Sequence, residues 1–303
     1  MKNRKINISY LIPIITLIIL SGLFSFLCFN VYRIYRENQT RTVSEIPQVI
    51  TASPSPAPSP APAQVQPTEP PTEPPTEPPT EPPTEPVLKN VPVLMYHTSS
   101  ENNPGGLAEL YVKPSEFEKQ IKYLYENGFT FCTFDDYGNL NEIEKPVFVT
   151  FDDGYRANYT EIFPIVKRYK AKITIFLTVN NIEAEDFSIK MIKEMNDSGL
   201  VKFESHTLSH ADLNSISSNE SWLASEIGDS KARIEEITGR PVVAFAYPGG
   251  KFNETVKAKT REFYSFGVGV SFGTHRTDFD LFAIKRLRIN RSTSLAGFMD
   301  LVG

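Results

Sequence analysis

The stretch Pro146-Val147-Phe148-Val149-Thr150-Phe151-Asp152-Asp153-Gly154-Tyr155 decides how the rest of the chain is read. An apolar and β-branched run ends abruptly in two adjacent carboxylates and a glycine. Such a run, with no polar alternation, reads as a strand covered on both faces, the kind that builds parallel sheets. Asp-Gly on its own is a common turn signal. Further on, the short run 200–204 leads into Ser205-His206-Thr207-Leu208-Ser209-His210. The two histidines are four positions apart, a spacing that shares one face on a helical turn. In a chain with only four histidines, the pair and the carboxylates point to one metal site. Asp153, His206 and His210 make a two-His-one-carboxylate set. Three protein ligands leave a position open, as catalytic rather than structural metal sites do. Asp152 is then left over beside the site as a candidate general base.

Working outward, strand-like runs alternate with amphipathic helical segments. Strands are expected at 91–96, 146–151, 173–179, 200–204, 242–247, 265–272 and 284–290. Helices are expected at 115–127, 158–169 with a kink at Pro164, 187–196, 221–238, and from Asn253 to 264. Ser115 and Glu118 have the spacing of a capping box, with Phe117, Ile121, Leu124 and Tyr125 on one face. Gly128 and Gly239 read as helix stops. Apolar strands separated by helices imply a parallel sheet covered on its outside. About seven such units predict an α/β fold, a distorted or incomplete (β/α) barrel of about seven parallel strands. Active sites of such barrels lie at the C-terminal strand ends. His97, Asp152 and Asp153, His206, and Tyr247-Pro248-Gly249 all follow strands and should converge on one rim.

The ends of the chain differ from this domain. Residues 10–32 are almost uninterruptedly apolar, long enough for a ~30 Å bilayer at ~1.5 Å per residue, and are expected to be an uncleaved transmembrane anchor. Basic residues flank the span on both sides, so the choice of a cytoplasmic tail at 1–9 rests on the outward-working look of the rest. Residues 33–86 read as a disordered Pro/Thr/Glu-rich linker, with five Pro-Thr-Glu-Pro units from Pro67 to Pro86 that favour extended polyproline II. Residues 87–303 are left as one domain, with a core of ordinary size. The expected location is a single-pass cell-membrane protein with its domain extracytoplasmic and the lipid bilayer as a partner. The net charge of −5 and the lack of long Lys/Arg runs argue against nucleic acid. Cys28 lies in the apolar span and Cys132 alone in the domain, so no disulfide-linked partner is required.

Phe148 to Tyr155 and His206-Thr207-Leu208-Ser209-His210 resemble the first two motifs of the polysaccharide deacetylases, carbohydrate esterase family 4, also called the NodB-homology domain. The likeness runs from Val91 to about Phe298. It implies a hydrolase of carbon–nitrogen bonds that removes N-acetyl groups from an N-acetylglucosamine-containing polysaccharide and releases acetate. It also implies one divalent metal, most often Zn2+. The family pattern assigns Asp152 as base and Asp153, His206 and His210 as metal ligands. In its third motif a base-tethering arginine would fall at Ala246, where it is missing. A tyrosine whose amide holds the oxyanion would fall at Gly249, which still has its N–H. Tyr247 is expected as a further oxyanion or substrate contact. The last motifs are absent in their usual form, and Leu287-Arg288-Ile289-Asn290 stands where a Leu-x-His acid would be. A subgroup resembling the deacetylases of biofilm poly-N-acetylglucosamine carries that histidine first. Pro92-Val93-Leu94-Met95-Tyr96-His97 fits that order, so His97 is the expected general acid. His275 is its rival, read as a surface-loop residue. Trp222 and Lys285-Arg286-Leu287-Arg288 read as a solvated face or core packing. The competing classes are a catalytically degenerate glycan-binding module and an O-acetyl esterase on a polysaccharide such as xylan.

Overall fold

The computed structural model describes residues 89–102, 107–182 and 187–303. The expected tail 1–9, span 10–32 and linker 33–86 lie outside the described residues. Among those described, no helix is long and apolar enough to cross a membrane.

The domain is built on parallel strands β1 (Val93–Tyr96), β2 (Thr130–Cys132), β3 (Pro146–Phe151), β4 (Ile173–Leu177), β5 (Val201–Ser205), β6 (Ala244–Ala246), β7 (Phe266–Phe272) and β8 (Ile284–Arg288). Seven of them close a ring in the order β1-β3-β4-β5-β6-β7-β8. Its seam is β1, where Leu94 lies opposite both Leu287 of β8 and Val149 of β3. The eighth strand, β2, pairs with the first half of β3, with Phe131 opposite Val147. The distortion expected of the barrel sits at two places. Strands β5 and β6 pair only at Ser205 and Phe245, and the β7–β8 register shifts between Val268 and Phe272. At the first, the Glu204 carboxylate accepts the Val243 and Ala244 N–H groups at 2.8 Å each and stands in for the missing ladder bonds.

Helices α1 (Pro114–Glu126), α2 (Phe163–Tyr169), α3 (Ile189–Asp197), α4 (Glu220–Ala224), α5 (Ser230–Thr238), α6 (Glu254–Phe263) and α7 (Leu295–Val302) cover the outside. Their buried faces, with Phe117, Ile121 and Leu124 on α1, pack on outward strand residues such as Val147, Ile175 and Phe203. A second cluster takes Val93, Phe148, Phe176, Ala244, Val268 and Ile284 from every ring strand but β5 and fills the barrel. Burying a side chain of this kind fully contributes about 1.5–3 kcal/mol.

Several local expectations are corrected. Helix α1 begins at Pro114, which is suited to the first helical position because its missing N–H is not needed there. Its N-cap is therefore Lys113, and no Ser115–Glu118 capping box forms. Glu118 instead meets Arg168 and Tyr169, and Tyr125 is exposed. The expected helix 221–238 is two helices joined by a π-helical turn, Ser225–Asp229. Helix α2 likewise follows a π-helical turn, Asn158–Ile162, with the expected interruption at Pro164. Strand β2 and helix α7 were not anticipated.

Candidate active site

The C-terminal ends of β1, β3, β5 and β6 bring Asp152, Asp153, His206, His210, His97 and Gly249 around one cavity of about 390 Å³. Met95, Leu110 and Val270 give it an apolar side, and Arg288 stands at its edge.

Asp152 is buried at the end of β3, where its N–H donates to the Tyr96 carbonyl at 3.0 Å. Both of its carboxylate oxygens accept hydrogen bonds of 2.7 Å from the two terminal nitrogens of Arg286. The remaining Arg286 Nε–H donates to the Gly269 carbonyl at 2.8 Å. Burial by itself raises the carboxyl pKa, but the Arg286 charge and its hydrogen bonds overcome this and hold Asp152 well below the usual carboxylate range. The candidate base is thus tethered by an arginine, supplied by β8 rather than by position 246. Sequence reading missed Arg286, which is fully buried. The signal was its alternation with Ile284 and Arg288 on a strand, which turns all three to one side, while Leu287 joins the outer core.

The three candidate ligands meet closely. The Nε2 atoms of His206 and His210 each lie 3.5 Å from Asp153 Oδ1, and one donor atom from each residue falls within 4.8 Å of the others. A tetrahedral ion with bonds of ~2.1 Å separates its ligands by about 3.4 Å, so the donor set fits a divalent metal. His206 Nδ1 bonds the Ala246 carbonyl at 2.8 Å. A carbonyl only accepts, so the proton is on Nδ1 and the Nε2 lone pair is free to ligate. Burial pushes the His206 pKa down, toward the neutral form a ligand needs.

The histidines do not share a helical face as their spacing suggested. They lie on a loop turned by left-handed residues. Among the described residues only Asp153 (φ 73°), Lys170 (50°), Thr207 (72°) and His210 (60°) combine a side chain with such a backbone, and three belong to the two motifs. Each costs on the order of 1–3 kcal/mol and persists only where its surroundings enforce it. The Thr207 hydroxyl accepts the His210 N–H at 2.8 Å. Tyr155 donates its hydroxyl proton to Asp153 Oδ2 at 3.1 Å.

His97 lines the cavity half-buried. Burial lowers its pKa, and the facing Asp152 and Asp153 charges oppose that shift. Gly249 lines the cavity with φ 60°. Two expectations are corrected. The Tyr247 side chain is not at the cavity: it is buried between Phe245 and Phe252, and its hydroxyl donates to the Phe282 carbonyl at 3.1 Å. His275 is no surface residue and no neighbour of the site. It is buried on a strand pair with Val91, its Nε2 2.8 Å from the Tyr137 hydroxyl. Trp222 is half exposed on α4.

Residues 139–264 match the family described as polysaccharide deacetylase. YxkH of Bacillus subtilis (strain 168), itself only provisionally a polysaccharide deacetylase, is 33% identical over 215 residues, which cover 69% of this chain and 74% of that protein. The poly-beta-1,6-N-acetyl-D-glucosamine N-deacetylase of a Staphylococcus epidermidis strain is 28% identical over 199 residues, 59% of this chain and 68% of that protein. The crystal structure of BC0361, a polysaccharide deacetylase from Bacillus cereus, superposes with a TM-score of 0.68 at 36% identity, covering 71% of this chain and 70% of that one. With this similarity, and with both motifs gathered at one barrel rim, the chain belongs to the polysaccharide deacetylase family.

Proposed function

We propose that the protein is a metal-dependent N-deacetylase acting on an N-acetylglucosamine-containing polysaccharide, with Zn2+ as its ion. One observation carries this reading: Asp152 is held ionised by Arg286 beside a three-residue ligand set in an open cavity. A module that only grips glycan needs no such carboxylate.

Asp153, His206 and His210 would hold the ion, which when bound polarises an acyl oxygen and makes water a nucleophile near pH 7. Asp152 accepts the proton of the attacking water. Arg286 keeps its two oxygens fixed, so the base is oriented before substrate arrives. The Gly249 N–H donates to the oxygen that gains charge at the tetrahedral centre, where one donor is worth ~3 kcal/mol. His97, in its protonated form, gives a proton to the nitrogen as the carbon–nitrogen bond breaks. An amine leaves poorly unless protonated, so this step needs an acid. Acetate and a glucosamine unit are the products.

The Staphylococcus relative is named for a β-1,6-linked polymer, and an exported polymer of that kind is the first substrate to test, with peptidoglycan second. On this reading 10–32 anchors the chain in the cell membrane. The linker 33–86, at ~3.1 Å per residue where extended, holds the domain outside. The test is acetate release by the full chain, with zinc and then with chelator, on β-1,4- and β-1,6-linked acetylated oligomers. Metal-dependent release from one linkage, lost in Asp152→Asn, supports the assignment. Zinc binding without release from either oligomer favours a glycan-binding module.

A further inference from the structure

The two candidate histidine ligands are oriented by different means. His206 is fixed through its own ring, by the bond from Nδ1 to the Ala246 carbonyl. Among the described residues the half-exposed His210 ring has no such bond, so its direction is set by its backbone. That backbone is held on one side by the Val179 and Asn180 N–H groups, which donate to the Thr207 and Leu208 carbonyls at 3.1 and 2.8 Å, and on the other by Glu226. Glu226 is only 4% exposed on the π-helical turn Ser225–Asp229. Its Oε2 accepts the Ser209 N–H at 3.0 Å, and its Oε1 accepts the Ser209 hydroxyl at 2.6 Å. Its own carbonyl accepts the Leu208 N–H at 3.2 Å. Both residues between Thr207 and His210 are therefore clamped by Glu226. The Trp222 indole N–H adds a long bond to Oε1 at 3.4 Å.

The π-helical turn is part of this arrangement. Such turns insert a residue into a helix, re-aim the side chains around it, and recur at functional sites. Its position is set by packing, since a Cβ on Gly228 would lie 2.7 Å from the Phe263 ring of α6. A buried carboxylate whose oxygens are spent on a loop of two strained residues has more to do than fill space.

We infer that Glu226 is a positioning residue for the metal site, acting through Ser209 and Leu208 to aim His210. The inference rests on the reading of Asp153, His206 and His210 as ligands. It does not require Glu226 to touch ion or substrate.

The test measures metal binding itself. Zn2+ affinity of the full chain is measured by chelator competition for wild type, Glu226→Gln, Ser209→Ala and the double variant. Cobalt(II) absorption reports the ligand geometry. Trp222 is the single tryptophan, so its emission reports the clamp. Expected are a 10–100-fold weaker affinity in Glu226→Gln, a smaller loss in Ser209→Ala, and a double variant whose loss relative to wild type is less than the product of the two single losses. The cobalt spectrum should change in both single variants, and zinc should shift Trp222 emission in wild type. Unchanged affinity and spectrum in Glu226→Gln overturn the inference and leave the metal reading intact. If Glu226→Gln does not fold, Ser209→Ala decides, because Ser209 is exposed and losing one surface hydroxyl does not unfold a domain. Wild type that binds no metal overturns both readings.

Discussion

The Asp152 carboxylate and the Arg286 guanidinium form two parallel 2.7 Å hydrogen bonds across 134 residues of sequence, with both side chains withdrawn from water. Among the described residues, neither charge has another opposite charge in hydrogen-bond contact. Breaking one side of such a pair leaves the other buried and uncompensated, at about 3–5 kcal/mol. Arg286→Met and Asp152→Asn should therefore each lose stability on this scale in urea unfolding, besides losing acetate release. The double variant should lose less than the sum of the two. Additive losses would show that the residues do not stabilise one another. The pair also sets a condition on the base test: Asp152→Asn must be assayed where it is still folded.

His97 is expected to matter in proportion to how badly the leaving group needs a proton. His97→Gln should lower turnover on an N-acetyl substrate by about 10²–10⁴-fold. On an activated aryl acetate, whose phenolate leaves unaided, the loss should be far smaller, with bound metal unchanged. Equal losses on both substrates would remove His97 from the acid role.

Burial pushes His275 from 6.5 down to about 4. Between these values the unfolded chain binds a proton and the folded one does not, so stability falls as pH drops from about 6.5 toward 4. Above that window this group contributes no pH dependence. His275→Gln should flatten the fall in Tm across the window and leave acetate release per folded molecule unchanged. A large loss of turnover would instead restore His275 as a candidate acid.

Gly154 and Gly249 share a left-handed backbone but not their surroundings. A Cβ at Gly154 (φ 84°) would lie 2.5 Å from Leu177 Cδ2, whereas at Gly249 (φ 60°) nothing lies closer than 3.9 Å. Gly154→Ala adds overpacking of about 1–3 kcal/mol to backbone strain of about 1–2 kcal/mol. Gly249→Ala adds the strain alone and keeps its N–H. Denaturation midpoints should rank wild type, Gly249→Ala, Gly154→Ala in falling order, and zinc affinity should drop mainly in Gly154→Ala, next to Asp153.

What the sequence made legible is what is local. The run ending at Asp152, the β-branched strand at 173–177 and the Asn253 cap, which accepts the Val256 N–H at 2.9 Å, are written in neighbouring residues. The convergence of Asp153, His206 and His210 followed from strand ends in a parallel barrel. Two kinds of feature were not legible. Arg286 reaches Asp152 because β8 closes the ring beside β1, a long-range event that no window of sequence contains. The loop at 206–210 took left-handed φ at Thr207, a β-branched residue whose propensity argues against it. Local bonds to the Ser205 and Thr207 hydroxyls are joined by long-range ones, from Ser209 to Glu226 and from the Val179 N–H to the Thr207 carbonyl, and together they enforce it.

The seam of the barrel also gives the active site an order of assembly. Both motifs follow β3 and β5, which are made, with β4 between them, before the last strand exists. Asp152 acquires its cation only when β8 docks against β1, among the last long-range contacts available to a chain emerging amino-end first. A chain ended before Ile284 would carry both motifs but neither β8 nor Arg286. The carboxylate and its tether thus come from the first and second halves of the domain, and a fragment that holds both motifs lacks the tether.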